Sequence, residues 1–252
     1  MNERPLLDSF DCIVFDMDGT LALSKSPISK EMGVVLDRLL AIKKVAVISG
    51  GRWEQFEKQL VPFLSPEHFD NLLILPTSGT TMYRYEKGAW VQKYNEIIPL
   101  VERVRIIDEL KRALSRVGYY EPEVFGKIIE DRFCQITFSA LGQEAPPDKK
   151  LKWDKDQKKR QMIVSLLRDR LPEYTLTIGG TTSIDITPKG VDKGYGIQKI
   201  SETLALPVDR IIFVGDKLDL GGNDYPVKRT GVRTIAVPNE YETKAMLESW
   251  FI

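Results

Sequence analysis

The amino-acid sequence predicts an α/β protein whose parallel, doubly wound sheet is interrupted by an inserted α+β block. Near the start of the chain, short apolar runs alternate with amphipathic helical patterns, which is typical of a parallel sheet covered on both faces. The same alternation returns near the end of the chain. Between them lies a segment with a hairpin pattern, long helices and consecutive strands. The predicted limits are residues 1–85 and 188–252 for the α/β domain and 86–187 for the insertion.

The first part of the chain should contain three strands and two helices. In chain order these are a strand at 12–16, a helix at 29–41, a strand at 44–48, a helix with apolar spacing from Trp53 to Leu64, and a strand at 72–75. Ser29 is a good N-cap residue at the start of the first helix. Each strand is a short apolar run followed by turn residues, which predicts a buried position in a Rossmann-like sheet.

The middle of the chain has a different pattern. It predicts a hairpin at 81–94 with its turn at Lys87 and Gly88, a long helix, a strand at 134–140, a polar loop at 142–160 that leads into a helix at about 157–171, and two strands within 174–188. The long helix should present one apolar face, formed by Val101, Val104, Ile107, Leu110, Leu114 and Val117. The chain then returns to the first pattern, with a helix at 193–204, strands at 210–217 and 234–238, and a C-terminal helix.

Composition argues against several classes of function. The 252 residues carry 36 basic and 36 acidic side chains, whereas a nucleic-acid-binding chain would show a basic excess. No apolar run reaches the roughly 18 residues that a membrane-spanning helix needs. The two cysteines, Cys12 and Cys134, make neither a zinc motif nor a disulfide framework, so we expect a cytoplasmic, reduced protein. With a single histidine, His68, a Ser–His–Asp hydrolase finds no support.

Polar residues follow the ends of the predicted strands. Asp16 and Asp18 should leave the first strand on the same side, where their charges repel each other unless a cation lies nearby. Ser49 and Asp216 follow two other strands, and Lys193 begins a helix. Because ligands of open α/β sheets bind beyond the carboxyl ends of the strands, these residues should meet at one edge. Carboxylates with a hydroxyl and an ammonium predict a site for Mg²⁺ and phosphate, in which a carboxylate can attack phosphorus.

These motifs resemble those of a known family. "FDMDGTL" at 15–21 is similar to the first motif of the haloacid dehalogenase-like (HAD) phosphotransferases. Ser49, Lys193 and "GDK…GGND" at 215–224 stand where the other three motifs of that family stand. The inserted block resembles the α+β cap of its subfamily IIB. Three segments, at 132–143, 178–197 and 214–227, are similar to those of the eukaryotic-type phosphomannomutases within it.

The resemblance implies a role for each core residue. Asp16 would be the nucleophile and a metal ligand, and Asp18 would be the general acid and base, with its backbone carbonyl on Mg²⁺. Ser49 would donate a hydrogen bond to the phosphate, and Lys193 would neutralise the charge of phosphate and nucleophile. The further residues of the metal site would be Asp216, Asn223 and Asp224.

In the insertion, the resemblance implies a substrate site for a sugar phosphate. Arg132, Ser183 and Asp185 match positions that hold the sugar phosphate in the mutases. At three further substrate positions the mutases have arginine, and this chain has Lys25, Gln143 and Lys150. The planar fork of arginine suits a bound phosphate, whereas lysine is a point charge and glutamine carries no charge.

The implied reaction therefore has alternatives. One is phosphomannomutase activity, with a hexose bisphosphate as activator and a homodimer formed through the cap. Another is a sugar-phosphate phosphatase, because "SGGR" at 49–52 is similar to the hydrolases of the subfamily. The third is a non-catalytic sugar-phosphate binding protein. Neither nucleic acid nor a membrane is expected as a partner.

Overall fold

Residues 7–251 are described by the structure, a computed structural model, and they group into two units. The first unit comprises residues 7–95, 192–220 and 224–251, and the second comprises Glu96–Val191 with Gly221–Asn223. The predicted limit at residue 86 falls inside a hairpin whose second strand belongs to the sheet of the first unit. The second unit therefore begins at Glu96. That the two units act as core and cap stays a prediction.

The elements follow the predicted order with a few additions. The strands are β1 (Cys12–Asp16), β2 (Lys44–Ile48), β3 (Leu72–Leu75), β4 (Thr81–Glu86), β5 (Ala89–Asn95), β6 (Ile129–Asp131), β7 (Ile136–Ser139), β8 (Tyr174–Gly179), β9 (Ser183–Pro188), β10 (Ile211–Gly215) and β11 (Arg233–Ala236). The helices are α1 (Lys30–Leu40), α2 (Trp53–Gln59), α3 (Leu100–Arg116), α4 (Pro147–Trp153), α5 (Lys158–Arg168), α6 (Lys193–Leu204) and α7 (Glu240–Ser249). Across residues 7–251, no helix combines the length and apolar character needed to cross a membrane.

The first unit is built on a seven-stranded sheet. Its strands lie in the order β11-β10-β1-β2-β3-β4-β5. The strands from β11 to β3 are parallel, and the β4–β5 hairpin adds two antiparallel strands at one edge. The predicted doubly wound fold class is confirmed, and β1, β2 and β3 have the predicted limits.

The sheet separates two apolar layers. Ile13 and Phe15 of β1 pack in the layer that includes α1 and α7, whereas Cys12 and Val14 pack in the layer that includes α6. All five residues of β1 are buried. A strand buried on both faces has no polar side chain to alternate with, which explains its continuous apolar run.

The order of the strands reverses beside β1. This strand pairs with β2 on one side and with β10 on the other. At such a reversal the connections that leave neighbouring strands diverge and leave a crevice beyond their carboxyl ends. The polar residues that follow β1, β2 and β10 are thereby placed at one edge of the sheet.

Helices α1 and α2 show how local signals succeed and fail. The Ser29 hydroxyl accepts a hydrogen bond from the Met32 backbone N–H at 3.1 Å, which confirms the predicted N-cap. Helix α2 ends earlier than predicted, and Val61–Phe63 form a separate 3₁₀ turn. Pro62 has no N–H to donate to a continuing α-helix, so the apolar spacing up to Leu64 does not correspond to one helix.

The second unit has a four-stranded antiparallel sheet in the order β6-β7-β9-β8. Helices α3 and α5 pack on one face of this sheet, against Ile136, Phe138, Ile184 and Ile186. The alternate side chains of β7 and β9 are polar and nevertheless buried. They include Thr137, Ser139, Ser183, Asp185 and Thr187.

Two predictions for the second unit are wrong. The first turns of α3 are not part of its buried face, because Val101 and Val104 are 73% and 51% exposed. A 17-residue helix is about 25 Å long, and the apolar layer packed against it begins only at Ile106. The polar loop predicted at 142–160 contains helix α4, whose start is favoured by proline at the first helical position.

Candidate active site

Asp16 is the last residue of β1 and is only 2% exposed. Its Oδ1 accepts a hydrogen bond from Lys193 Nζ at 2.5 Å. Its Oδ2 is buried and has no hydrogen-bond partner among the described residues. One carboxylate oxygen is therefore held by a cation, while the other keeps its lone pairs available. An oxygen in that state can attack an electrophile or bind a metal ion.

Lys193 is the first residue of α6 and connects two buried acids. Its Nζ also lies 2.5 Å from Oδ1 of Asp224. Oδ2 of Asp224 accepts a hydrogen bond from the Lys217 backbone N–H at 3.0 Å. Buried charges are tolerated only where they are paired and hydrogen-bonded, and Lys193 and Asp224 meet both conditions.

Asp18 lies in the turn after β1 and has different partners. Its Oδ1 accepts the Lys25 backbone N–H at 2.5 Å, and its Oδ2 accepts the Ser49 hydroxyl at 3.2 Å. The Ser49 hydroxyl oxygen accepts the Gly51 N–H, which helps fix its position. Lys25 thus contacts Asp18 through its backbone, at a left-handed φ of +58°. The carboxylate of Asp18 is oriented and only half-buried, which suits a group that exchanges protons with a ligand.

Three acids form a candidate metal site. Asp16, Asp216 and Asp224 offer carboxylate oxygens that lie within 4.8 Å of one another. Asp16 Oδ2 and Asp216 Oδ1 are both buried without a partner in the part of the chain that the structure describes. A Cβ at Gly19 would lie 2.6 Å from Asp216 Oδ2, so glycine is needed here to leave room beside the acids. The φ of Gly19 is +86°, a conformation that also favours glycine. Oxygen ligands of this kind fit a hard divalent cation.

Two other predicted metal residues lie outside this group. The carboxylate of Asp18 is not part of it, and the role of the Asp18 backbone carbonyl as a metal ligand stays a prediction. Asn223 belongs to the second unit, and its Oδ1 is buried without a hydrogen-bond partner among residues 7–251. Its role as a metal ligand stays a prediction.

Burial and neighbouring charges change the proton affinity of the central pair. Burial raises the pKa of Asp16 well above its usual value; the Lys193 ammonium opposes this, and nearby carboxylates add to it. For Lys193, burial lowers the pKa, but the carboxylates of Asp16 and Asp224 outweigh burial and leave the pKa raised. A cation bound between the acids would lower the pKa of Asp16 and favour its ionised, nucleophilic form.

The predicted substrate residues of the second unit include two on its polar sheet face. Asp185 Oδ1 accepts hydrogen bonds from Gln135 Nε2 at 2.9 Å and from the Thr137 hydroxyl at 2.8 Å. The hydroxyls of Ser183 and Ser139 lie 2.9 Å apart. These bonds connect the β7 and β9 segments and hold the polar groups in defined positions.

The remaining predicted residues of that unit are also held by the chain. Arg132 Nη2 lies 2.6 Å from Glu130 Oε2, and the Arg132 side chain is 4% exposed. Lys150 is buried, and its Nζ donates a hydrogen bond to the backbone carbonyl of Gln143 at 3.1 Å. The structure therefore brings Lys150 and Gln143 together and balances the charge of Arg132 with a carboxylate.

Sequence patterns did not single out Thr77, Ser78 and Gly79, which follow β3. All three have left-handed backbones, with φ of +50°, +61° and +88°. The N–H of Thr77 donates to the Gly51 carbonyl and the N–H of Ser78 to the Ser49 carbonyl, both at 2.8 Å. Such conformations are rare for threonine and persist where the surroundings enforce them. The available signal was the polar cluster "PTSGTT" directly after a buried strand.

The family match and the similar solved structures show that this chain is an enzyme of the haloacid dehalogenase type. A haloacid dehalogenase-like hydrolase from Bacteroides thetaiotaomicron has a similar structure, with a TM-score of 0.61 and 17% identity over 95% of this chain and 98% of that one. Residues 32–251 match the family described as "Eukaryotic phosphomannomutase", and the chain belongs to this family.

Similar curated proteins carry the same name. The phosphomannomutase of Schizosaccharomyces pombe is 29% identical over 260 residues, which cover 95% of this chain and 93% of that protein. The phosphomannomutase of Encephalitozoon cuniculi is 28% identical over 250 residues, with 94% and 91% covered. The resemblance implied by the motifs is therefore confirmed at the level of the family.

Proposed function

We propose that this protein is a Mg²⁺-dependent phosphomutase that interconverts mannose 1-phosphate and mannose 6-phosphate through an aspartyl-phosphate. The family match and the names of the relatives support this reaction. The observation that carries the mechanism is the state of Asp16, which has one oxygen on Lys193 and the other without a partner among the described residues. The proposed location is the cytoplasm.

In the first half-reaction, Oδ2 of Asp16 attacks one phosphorus of the hexose bisphosphate as the bond between that phosphorus and the sugar oxygen breaks, which leaves a hexose monophosphate. Asp18 gives its proton to the leaving sugar oxygen. In the second half-reaction, a sugar hydroxyl attacks the aspartyl-phosphate, gives its proton to Asp18 and releases the carboxylate of Asp16. Lys193 stabilises the negative charge on the phosphoryl oxygens throughout, and the Ser49 hydroxyl turns from Asp18 Oδ2 to donate a hydrogen bond to one of them.

The residues proposed to hold Mg²⁺ are Asp16, Asp216 and the backbone carbonyl of Asp18, with Asn223 and Asp224 in support. The unpartnered oxygens of Asp16 and Asp216 support this assignment. Both oxygens of Asp224 already accept hydrogen bonds, from Lys193 and from the Lys217 backbone, which favours a supporting role. When bound, Mg²⁺ supplies positive charge that offsets the repulsion between carboxylates and phosphate.

The proposed contacts to the sugar phosphate are Arg132, Ser183 and Asp185, with Lys25 on the first unit. Glu130 fixes the guanidinium of Arg132, and hydrogen bonds fix the other two side chains, so each is prepared to contact a ligand without reorganising. A hexose bisphosphate activator and a homodimer through the second unit are further parts of the proposal that the family suggests.

A sugar-phosphate phosphatase is the second candidate, with water in place of the sugar hydroxyl as acceptor. One observation favours it: the Lys150 ammonium donates a hydrogen bond to the backbone carbonyl of Gln143. The mutases have arginine at both of these positions. A mutase must hold both phosphates of a bisphosphate, and this arrangement offers no bidentate cation at these two positions. Membership of an enzyme family argues against the non-catalytic binding protein.

Phosphorus NMR tests the proposal directly. The protein is incubated with Mg²⁺, mannose 1-phosphate and a trace of a hexose bisphosphate. Growth of a 6-phosphate resonance without inorganic phosphate is the expected result and identifies a mutase. Growth of inorganic phosphate alone identifies a phosphatase. No change in either resonance contradicts both assignments.

A further inference from the structure

We propose that Asp192 and Arg229 are positioning residues that hold the Lys193 ammonium between Asp16 and Asp224; this rests on the function proposed above for Lys193. Asp192 directly precedes Lys193 in the chain. Arg229 lies in the segment that follows Asp224. An ion pair between Asp192 and Arg229 therefore ties together the two segments that carry the catalytic lysine and its acidic partner.

Asp192 uses both oxygens of its carboxylate. Oδ1 accepts the backbone N–H groups of Gly194 at 2.9 Å and Tyr195 at 3.2 Å, which caps the start of α6. Oδ2 accepts a hydrogen bond from Arg229 Nη2 at 2.5 Å. Because the cap needs only one carboxylate oxygen, the bond to Arg229 has a separate consequence. It connects the beginning of α6 to the neighbouring segment.

The neighbouring segment also carries Asp224. Asp224 is the N-cap residue of the 3₁₀ helix Tyr225–Thr230, which includes Arg229. Asp224 Oδ1 lies 2.5 Å from Lys193 Nζ. Two ion pairs therefore join the same two segments. In the pair Lys193–Asp224 the cation is on α6, and in the pair Arg229–Asp192 the cation is on the 3₁₀ helix. Movement of α6 away from this segment would break both pairs.

Close packing of the backbones leaves little freedom between the ion pairs. A Cβ at Gly194 would lie 2.7 Å from the carbonyl oxygen of Pro226, so no side chain fits at this point. Gly196 lies one turn into α6 and approaches Gly79 in a similar way. A Cβ at Gly79 would lie 3.2 Å from the Cα of Gly196. The first turn of α6 is therefore held on two sides, and the position of Lys193 follows from it.

Exposure indicates which property the pair controls. The Arg229 side chain is 64% exposed, whereas that of Asp192 is 7% exposed. Solvent screens the arginine end of the pair, and Asp192 Oδ1 keeps its two backbone N–H donors when Arg229 is replaced, so we expect the pair to contribute little to global stability. The Lys193 side chain is 2% exposed, and displacement of a catalytic group by about 1 Å can reduce a rate about 10²-fold. Loss of the Asp192–Arg229 pair should therefore lower kcat with little effect on the melting temperature.

The direct test is Arg229→Gln, with Arg210→Gln as a matched control. Arg210 pairs with Asp11 in the same unit and is 40% exposed. Turnover of para-nitrophenyl phosphate with Mg²⁺ reports the step at Asp16 without depending on the sugar. We expect Arg229→Gln to lower kcat roughly 10- to 100-fold with KM nearly unchanged. Arg210→Gln should leave kcat at the wild-type value.

Two further variants distinguish positioning from a purely structural role. Arg229→Lys keeps a cation at this place and should recover part of the lost kcat. Asp192→Asn keeps an N-cap acceptor but removes the charge. Both substitutions remove the same ion pair. The double variant Asp192→Asn with Arg229→Gln should therefore be no less active than the less active of the two single variants.

Lys193→Met separates this proposal from the proposed function. If Lys193→Met keeps its turnover, the role of Lys193 is wrong and the positioning proposal falls with it. If Lys193→Met is inactive while Arg229→Gln turns over at the wild-type rate, only the positioning proposal is overturned. It is also overturned if Arg229→Gln lowers the melting temperature far more than Arg210→Gln, since the pair would then stabilise the fold.

Discussion

The Lys193 ammonium lies 2.5 Å from Oδ1 of Asp16, although 177 positions separate the two residues in the chain. The strand that ends in Asp16 and the helix that begins with Lys193 belong to the same unit. The pair therefore depends on the completed sheet, and it leaves the second oxygen of Asp16 available for chemistry.

Asp16→Asn should abolish turnover while the fold remains intact. An amide oxygen is a far weaker nucleophile than a carboxylate, so we expect a loss of more than about 10³-fold in kcat. Aryl phosphate turnover and a thermal melt are the measurements, with Asp8→Asn on the exposed surface as the control. Full activity in Asp16→Asn would assign the nucleophile to another residue.

The same variant should change the pH dependence of stability in metal-free protein. Burial raises the pKa of Asp16 in the folded state, with nearby carboxylates adding to it against the opposing Lys193, so the native protein keeps this proton at pH values where the unfolded chain has lost it. The contribution of Asp16 to stability is present below about pH 4 and is lost as pH rises through its raised pKa. Urea unfolding in EDTA from acid to neutral pH should show this fall in wild type and a smaller one in Asp16→Asn. Parallel pH profiles would contradict the raised pKa.

Gly19→Ala should weaken the metal site. A Cβ at Gly19 would lie 2.6 Å from Asp216 Oδ2, and the φ of +86° adds backbone strain. Gly88→Ala is a matched control, because Gly88 has φ of +84° and nothing within 4 Å of its Cβ position. We expect both variants to lose stability, by about 1 kcal/mol for the control. Only Gly19→Ala should need more Mg²⁺ for half-maximal activity, which a Mg²⁺ titration measures; equal requirements would separate Gly19 from the metal site.

Gln143→Arg should favour mutase over phosphatase activity. The change places a planar, bidentate cation beside Lys150, where the carbonyl of Gln143 already holds the lysine ammonium. We expect the ratio of mannose 6-phosphate to inorganic phosphate formed in phosphorus NMR to rise about tenfold, the size of one charge-assisted hydrogen bond. Gln161→Arg, on the exposed side of α5, controls for added charge. An equal ratio in both variants would remove Gln143 from the substrate site.

Native protein should have no rapidly reactive thiol. Burial raises the pKa of Cys12 to about 12, and Cys134 is 2% exposed. At about pH 8 the thiolate fraction of Cys12 is therefore very small, and the reagent cannot reach either sulfur. A colorimetric thiol assay should report two thiols per chain in denaturant and almost none without it. Fast labelling of the native protein at either cysteine would show that its layer of the core opens readily.

Sequence patterns predicted the framework of the first unit closely. The limits of β1, β2 and β3 agree residue for residue, and α6 begins at Lys193 as predicted. Local chemistry explains this success, because apolar runs, the Ser29 cap and the turn at Lys87 and Gly88 each act within a few neighbouring residues. Strand ends also indicated which residues would lie near one another, and the structure brings Asp16 and Lys193 together.

Failures occurred where distant parts of the chain decide the outcome. Val101 and Val104 have the spacing of a buried face, but no apolar layer covers them. The left-handed backbone at Thr77 and Ser78 is held by hydrogen bonds to Gly51 and Ser49, which no local pattern reveals. Likewise, the sequence does not reveal that Arg132 contacts the carboxylate of Glu130 or that Lys150 contacts the carbonyl of Gln143.

The sequence by itself determined the class of fold and which polar residues follow the ends of the strands. Periodicity, capping and turn chemistry are local properties, so a sequence pattern is enough to show them. Only the tertiary structure decided which oxygen of Asp16 is held by Lys193 and which remains available. It also decided that Asp192 reaches Arg229. A hydrogen bond or ion pair forms only when the distance between its two groups is correct to within a few tenths of an ångström. For groups far apart in the chain, packing alone sets that distance.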